Sequence, residues 1–408
     1  MIGRLSRLIF REAFGHSSSV IRAPAVHARA AMAWLCRAQD ATGGGGVARS
    51  YSLKWNKAHG KRGWIDAYPE TTGYIIPTFF DYASIAGDKN FGERALRMAE
   101  WEICVQMDNG AVQGGTIAFS PTPAVFNTGQ VLFGWSRAFR ETGQERFRIS
   151  ARRAADFLLS VLDSDGGWRR AGSKYARCGI NLYDARTAWG LIEVFRITGE
   201  PGYREAARRN LDFVVSQQWP NGWFPNCCLD DDLHPLLHTI AYTTEGLLES
   251  GLLLNDPKYV DAARRPLDML LSRQRSDGSL AGRFDSDWRP AARWTCLTGD
   301  AQTALCWLRL FEITRSQKYF DAARRMNRFV METQDLTSPD PGIRGAIKGS
   351  HPIWGSYSSY EYPNWAAKFF VDALLLSAKL SRSEEERGCA QNLEAPVVDA
   401  CKWDFNDA

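Results

Sequence analysis

The sequence predicts an all-α chain folded as an (α/α)6 toroid, a ring of six helical hairpins with twelve main helices. Three observations carry this. An amphipathic helix returns at a nearly fixed interval, a more apolar helix lies between successive returns, and the long loops all fall on one side of the hairpins.

The amphipathic copies open at Phe91, Phe147, Tyr203, Tyr259 and Tyr319, spaced 56, 56, 56 and 60 residues apart. A degenerate copy, PAVHARAAMAWLCRAQDATG, opens at Pro24 and makes six. Apolar residues at i, i+3, i+4 and i+7 give each copy about four helical turns. Each then ends in a turn with Gln and, four residues on, Gly: Gln39/Gly43, Gln106/Gly110, Gln218/Gly222 and Gln274/Gly278. The third copy has Leu162 in the Gln place before Gly166, and the sixth keeps Gln334 but delays its glycine to Gly342. Glycine suits a helix stop that needs a positive φ. The recurrent AARR is expected to be a solvated face.

The intervening helices begin near ETTGYIIPTFFDYA, NTGQVLFGWSRAF, DARTAWGLIEVF, HTIAYTTEGLLES, GDAQTALCWLRLF and NWAAKFFVDALLL. They are apolar nearly all round, which fits an element covered on most sides, so they form the inner ring. Short turns such as ETGQERF, TGEPGY and LNDPKY lead from inner to outer helix. The return connections are long and share one face, where a functional funnel is expected at the N-termini of the inner helices. The toroid is expected to span residues 22–382, between a flexible segment 1–21 and a charged extension 383–408 that loses helical periodicity.

The totals narrow the function classes. The chain has 408 residues, 45% hydrophobic and 12% aromatic, with 15 Trp. A net charge of +4 without a long basic block indicates no nucleic-acid groove. Nine scattered cysteines, an odd number with no CxxC pair, read as reduced thiols in a cytoplasmic protein. No apolar run reaches the roughly 18 residues of a membrane span, leaving at most a surface association through residues 1–14. No cofactor is implied. DDDLHPLLH brings Asp230 to Asp232, His234 and His238 together, but an acidic surface loop is the expected reading and no metal is assigned.

The six hairpins resemble the toroid group that includes six-hairpin glycosidases, sugar epimerases and terpenoid cyclase-like proteins. The turns QQWPNGW and DSDGGW are similar to the QW repeats of terpenoid cyclases. The acidic motif of a class II cyclase is absent, since CLDDDLHP has Leu229 at its first acidic place. YPETTGYIIPTFFDYA, NTGQVLFGW, HTIAY, RPAARWTCLTGDAQ and GIRGAIKGSHPIWG resemble bacterial VpsJ-like proteins of exopolysaccharide and O-antigen clusters. That resemblance spans nearly the whole chain and implies polysaccharide biosynthesis or processing, without assigned catalytic residues.

The site is therefore read from the residues. Aligning the six inner-helix starts sets polar groups around a ring: Tyr68 and Glu70; Asn127 and Gln130; Asp184 and Arg186; His238 and Tyr242; Asp300 and Gln302; Tyr362 and Asn364. Capping accounts for Asn127, Asp184, Asp300 and Asn364 singly, but not for Tyr68, Glu70, Arg186, His238 and Tyr362 at equivalent places. Six helix N-termini, with Arg186 and an inward Lys368, favour an acidic ligand. Trp64, Trp219, Trp223, Trp288, Trp294, Trp354, Tyr357 and Tyr360 in the loops suit stacking on sugar rings.

The expected partner is an acidic glycan or a lipid-linked oligosaccharide. Hydrolysis needs two carboxylates, with Glu70 and Asp300 as the pair, Asp184 third and Asp66 in reserve. Uronate elimination or C5-epimerisation needs a base, an acid and a group neutralising the carboxylate. His238, Tyr68, Tyr242 or Tyr362 with Arg186 and Asn127 could serve. Non-catalytic glycan binding and lipid-linked-sugar binding stay open beside these.

Overall fold

In the computed structural model, which describes residues 9–10, 12–13, 21–173, 175–176 and 179–391, the chain is a closed double ring of helices. The outer helices are α1 (Pro24–Asp40), α3 (Lys89–Val105), α5 (Glu145–Val161), α7 (Pro201–Ser216), α9 (Pro257–Ser272) and α11 (Gln317–Thr333). The inner helices are α2 (Pro69–Ala86), α4 (Val125–Thr142), α6 (Ala185–Thr198), α8 (Leu237–Leu254), α10 (Leu297–Thr314) and α12 (Asn364–Gln391). Each inner helix packs on the next, and α12 closes the ring on α2. The outer partner of α12 is α1, so the two ends of the chain together make the sixth hairpin.

Two-residue links join inner to outer helices: Gly87–Asp88, Gly143–Gln144, Gly199–Glu200, Asn255–Asp256 and Arg315–Ser316. The first residue of each is left-handed, with φ from 50° to 72°, which ends the inner helix and reverses the chain in one step. All the long connections lie at the other end. There β1 (Ser50–Asn56), β2 (Lys61–Trp64) and β5 (Glu361–Pro363) form an antiparallel sheet in the order β2-β1-β5. A smaller pair joins β3 (Thr295–Cys296) to β4 (Ser350–His351).

The Gln–Gly turns bind neighbouring outer helices together. Gln106 Nε2 donates to Gly110 O within its own turn and to Ser150 O of α5, at 2.9 and 3.0 Å. Gln218 and Gln274 repeat the pattern against α9 and α11. Where Leu162 replaces the glutamine, Asn210 reaches back from α7 to Gly166 O at 2.9 Å. The AARR arginines do more than face solvent: Arg153 and Arg325 donate to the carboxamide oxygens of Gln106 and Gln274. Gly110, at φ 86°, sits so close to α5 that a Cβ there would stand 2.2 Å from Arg153 O.

At the short-link end, around a second cavity of about 740 Å³, acid–base pairs link successive inner helices. Asp81 pairs with Arg137, Arg140 with Glu193, Arg186 with Glu245, and Glu249 with Arg309. Lys379 reaches Glu312 at 3.5 Å, and Asp372 accepts from Thr78, returning the circuit to α2.

Helix α12 runs past residue 382 to Gln391; residues 392–408 lie outside the described residues. Residues 1–8, 11 and 14–20 of the N-terminal segment, including most of its expected surface-associating part, also lie outside them. Glu12 is described: its carboxylate pairs with Lys348 and accepts from Ile353 N at 2.6 Å. Among the described residues, no helix is long and apolar enough to cross a membrane.

Candidate active site

The inner helices all begin at the long-loop end, and a cavity of about 330 Å³ opens among their first turns. At the start of α2, Thr72 Oγ1 donates to Tyr68 O and accepts from Val47 N, so the helix start and the incoming loop are fixed by one hydroxyl. Pro69 occupies the first helical turn, where its missing N–H costs nothing. This frees Tyr68 and Glu70 to line the cavity.

The Tyr68 hydroxyl donates to Glu70 Oε2 at 2.5 Å, and Asn127 Nδ2 donates to the Tyr68 oxygen at 3.3 Å. Burial pushes the Glu70 carboxyl up to about 7, against the opposing pull of the Tyr68 hydrogen bond, Arg186 and Arg49. Burial and the Glu70 charge hold Tyr68 well above the usual phenol range.

Across the cavity stands His238, 5% exposed, its Nδ1 2.5 Å from Gln302 Oε1. Burial lowers its pKa to about 3, so the ring is neutral. Tyr242 lies beside it with ring centroids 4.2 Å apart and meets Tyr74 hydroxyl to hydroxyl at 3.4 Å.

The third wall comes from the small sheet. Arg49, just before β1, donates to Glu361 Oε2 at 2.6 Å, and Ser50 and Asn56 complete the carboxylate's partners. Burial opposes ionisation of Glu361, but Arg49 and these hydrogen bonds keep its pKa below the ordinary carboxylate value. The Arg49 guanidinium lies 5.1 Å from the Trp365 ring, whose Nε1 donates to the Tyr357 hydroxyl. Tyr175 and Tyr183 also line the space. Among the described residues the buried Tyr183 hydroxyl and Asn127 Oδ1 have no hydrogen-bond partner, as expected of groups that meet a polar ligand or water.

The structure thus brings Tyr68, Glu70, His238 and Tyr242 together, with Asn127 behind Tyr68. Asp300 is elsewhere. Its Oδ1 accepts from Leu280 N at 3.2 Å, the task Thr72 and Thr128 perform for Val47 and Val112. The Glu70–Asp300 pair therefore does not form in the cavity. Asp184 closes a 3-10 turn, Leu182–Asp184, outside the lining, and its neighbour Tyr183 is the residue that reaches the cavity. Asp66 is bound by Lys61 at 2.5 Å.

Arg186 lies on the far side of Tyr74 and Tyr242, paired with Glu245 and donating from Nε to Gln130 Oε1 at 2.7 Å. Gln130 is therefore an internal partner and not a ligand contact. Lys368 lines the cavity at the short-link end and pairs with Asp372 at 2.5 Å. Asn364 donates to Ala48 O and Thr71 Oγ1, tying α12 to the first loop. The β5 alternation sends Glu361 into the cavity wall and Tyr362 away.

Nor are the tryptophans the sugar platform. Trp64 packs on Trp34 and Tyr51, and Trp223 on Trp288. Trp294 lies against Gly282 and Gly355, and Trp354, 38% exposed, stands outside the lining. Tyrosines and Trp365 line the cavity instead. Arg49 and Glu361 were missed because they join the site through the pairing of β1 with β5, which the helix alignment does not register, whereas Trp365 sits in the first turn of α12 beside Tyr362 and Asn364, which were chosen instead. In the acidic loop, Asp230 pairs with Arg283 and Asp231 with His234.

No protein-family model matches the chain, and no curated protein does. Solved structures do match in fold. An unsaturated glucuronyl hydrolase specific for heparin aligns at 17% identity with a TM-score of 0.70, over 88% of this chain and 98% of that one. An unsaturated glucuronyl hydrolase from Bacillus sp. GL1, responsible for the degradation of glycosaminoglycan, gives 18% identity and 0.69, over 88% and 96%. Cellobiose 2-epimerase from Bacillus thermoamylovorans B4167 gives 11% and 0.67, over 85% and 96%. At such identities the likeness shows the fold.

Proposed function

We propose that the chain is a carbohydrate-active enzyme that cleaves an acidic oligosaccharide or polysaccharide in the funnel cavity, with Glu70 as general acid. The carrying observation is the Glu70 carboxyl, buried beside Tyr68 with a pKa of about 7, in the same cavity as Glu361, whose pKa lies below the ordinary value. Two carboxyls driven apart by their surroundings divide into a proton donor and a fixed negative charge. Glu70 gives its proton to the leaving oxygen as the bond from that oxygen to the anomeric carbon breaks, water adds to that carbon, and the proton the water releases restores Glu70. Arg49, held by Glu361, keeps further N–H donors for a substrate carboxylate, which the six converging helix N-termini also favour.

The tyrosine walls and Trp365 suit the C–H faces of sugar rings. A glycan in this space is in keeping with fold relatives that are a glucuronyl hydrolase and a cellobiose 2-epimerase. The likeness of YPETTGYIIPTFFDYA and GIRGAIKGSHPIWG to VpsJ-like sequences supports a proposed role in bacterial envelope polysaccharide metabolism. The free thiols Cys36, Cys104, Cys227, Cys228, Cys296 and Cys306 accord with a cytoplasmic setting.

Proton abstraction from carbon is the less favoured chemistry. His238, with a pKa lowered to about 3, and Tyr68, held well above the usual phenol range, are not matched to a base working near neutral pH, so such a step would fall to the ionised form of Glu70.

The test is incubation with uronate-containing oligosaccharides in deuterated water, followed by NMR and by absorbance of unsaturated uronate. A new reducing end without deuterium at C5, lost in Glu70→Gln by about 10²-fold or more, is the expected result. Deuterium at C5 with an intact chain means epimerase, and a new double bond means lyase; either removes the hydrolase reading. No turnover, with binding of glycan or of a lipid-linked sugar, makes the toroid a binding protein.

A further inference from the structure

Behind His238 a chain of buried polar groups runs through the inner ring. Gln302 offers Oε1 to His238 Nδ1 at 2.5 Å, and its Nε2 donates to Glu245 Oε2 at 3.3 Å. Glu245, 3% exposed, is the ion-pair partner of Arg186, 1% exposed. Arg186 in turn donates to Gln130 and is boxed by the rings of Tyr74, Phe133, Trp189, Tyr242 and Phe369, all within 5.7 Å.

The logic of donors and acceptors runs one way along this chain. A carboxylate paired with a guanidinium can only accept. Gln302 must therefore turn its NH2 toward Glu245 and its carbonyl toward His238. The carbonyl can only accept, so Nδ1 of His238 must carry the ring hydrogen. In a neutral imidazole this leaves Nε2 with a bare lone pair, and Nε2 is the nitrogen left for the cavity that His238 lines.

We propose that Gln302, Glu245 and Arg186 are positioning residues that lock His238 in its Nδ1–H tautomer, making Nε2 a fixed hydrogen-bond acceptor for a sugar hydroxyl. This rests on the reading of the funnel as the substrate cavity. It assigns the substrate a hydroxyl donor on the His238 side, while a carboxylate, itself an acceptor, is directed to Arg49. Glu70, the proton donor of the proposed cleavage, lines the same cavity.

Selective ¹⁵N-histidine labelling tests this on the intact protein without any substrate. The chain has six histidines, and the His238 resonances are those missing from His238→Gln. Long-range ¹H–¹⁵N spectra at pH 7 should show a protonated Nδ1 and an unprotonated Nε2, unchanged down to pH 5. Gln302→Met removes the acceptor, and the Nδ1–H form should then give way to a mixture of tautomers. A wild-type spectrum with hydrogen on Nε2, or a tautomer mixture already in the wild type, overturns the proposal. So does a Gln302→Met spectrum identical to wild type. The wild-type reading stands even if Gln302→Met fails to fold. The outcome is independent of the Glu70→Gln assay: the expected tautomer with full Glu70→Gln turnover removes the catalytic reading and leaves the relay.

Discussion

At pH 7 the Glu70 carboxyl is poised between its two protonation states, because burial beside Tyr68 lifts its pKa to about 7. The folded protein therefore binds more protons than the unfolded chain between the ordinary carboxylate value and pH 7. Stability should fall as pH rises across that window, by about 3 kcal/mol for this one group. Glu70→Gln removes the titration. Urea unfolding should find the variant gaining about 3 kcal/mol on wild type between pH 4 and pH 8, and a constant difference means that Glu70 titrates ordinarily. In the glycan assay, kcat/KM should fall as pH rises through about 7, since the protonated form is the donor. The sequence exposed Tyr68, Glu70, His238 and Tyr242 because each sits at an equivalent helix start. It could not separate Glu70 from Asp300, because the two look alike until a loop N–H arrives at one of them. Arg49 and Glu361 are far apart in the chain and meet only when β1 pairs with β5.

Among the elements, the outer ring was the more legible half, since its 56-residue spacing is written directly in the sequence. The reason for the glycines was not legible. The turn needs a positive φ at Gly110 and at Gly143 alike, yet only Gly110 also touches the next outer helix. The pair makes a controlled experiment. Gly143→Ala, with nothing within 4 Å of its new Cβ, should cost about 1–2 kcal/mol for the left-handed backbone alone. Gly110→Ala adds a clash with Arg153 O and should cost about 2 kcal/mol more. Equal shifts in the urea midpoint would show that Gly110, which lies beyond the Gln106 cap of α3, serves only its left-handed turn and does not help join α3 to α5.

For the molecule as a whole, closure depends on α1, which buries His27, Ala28, Ala31, Met32, Trp34, Leu35, Ala38 and Gln39. Its apolar side chains contribute on the order of 10 kcal/mol, comparable to the whole stability of an ordinary domain. A chain lacking residues 1–41 should lose its cooperative urea transition by circular dichroism, whereas a retained sharp transition would mean that five hairpins suffice. The same pairing has a consequence for synthesis. Helix α1 leaves the ribosome before the other helices of the ring, and its inner partner α12 leaves after them. The apolar surface of α1 therefore waits while the rest of the ring is made, and the ring behaves like an arch whose keystone is set only when α12 has emerged.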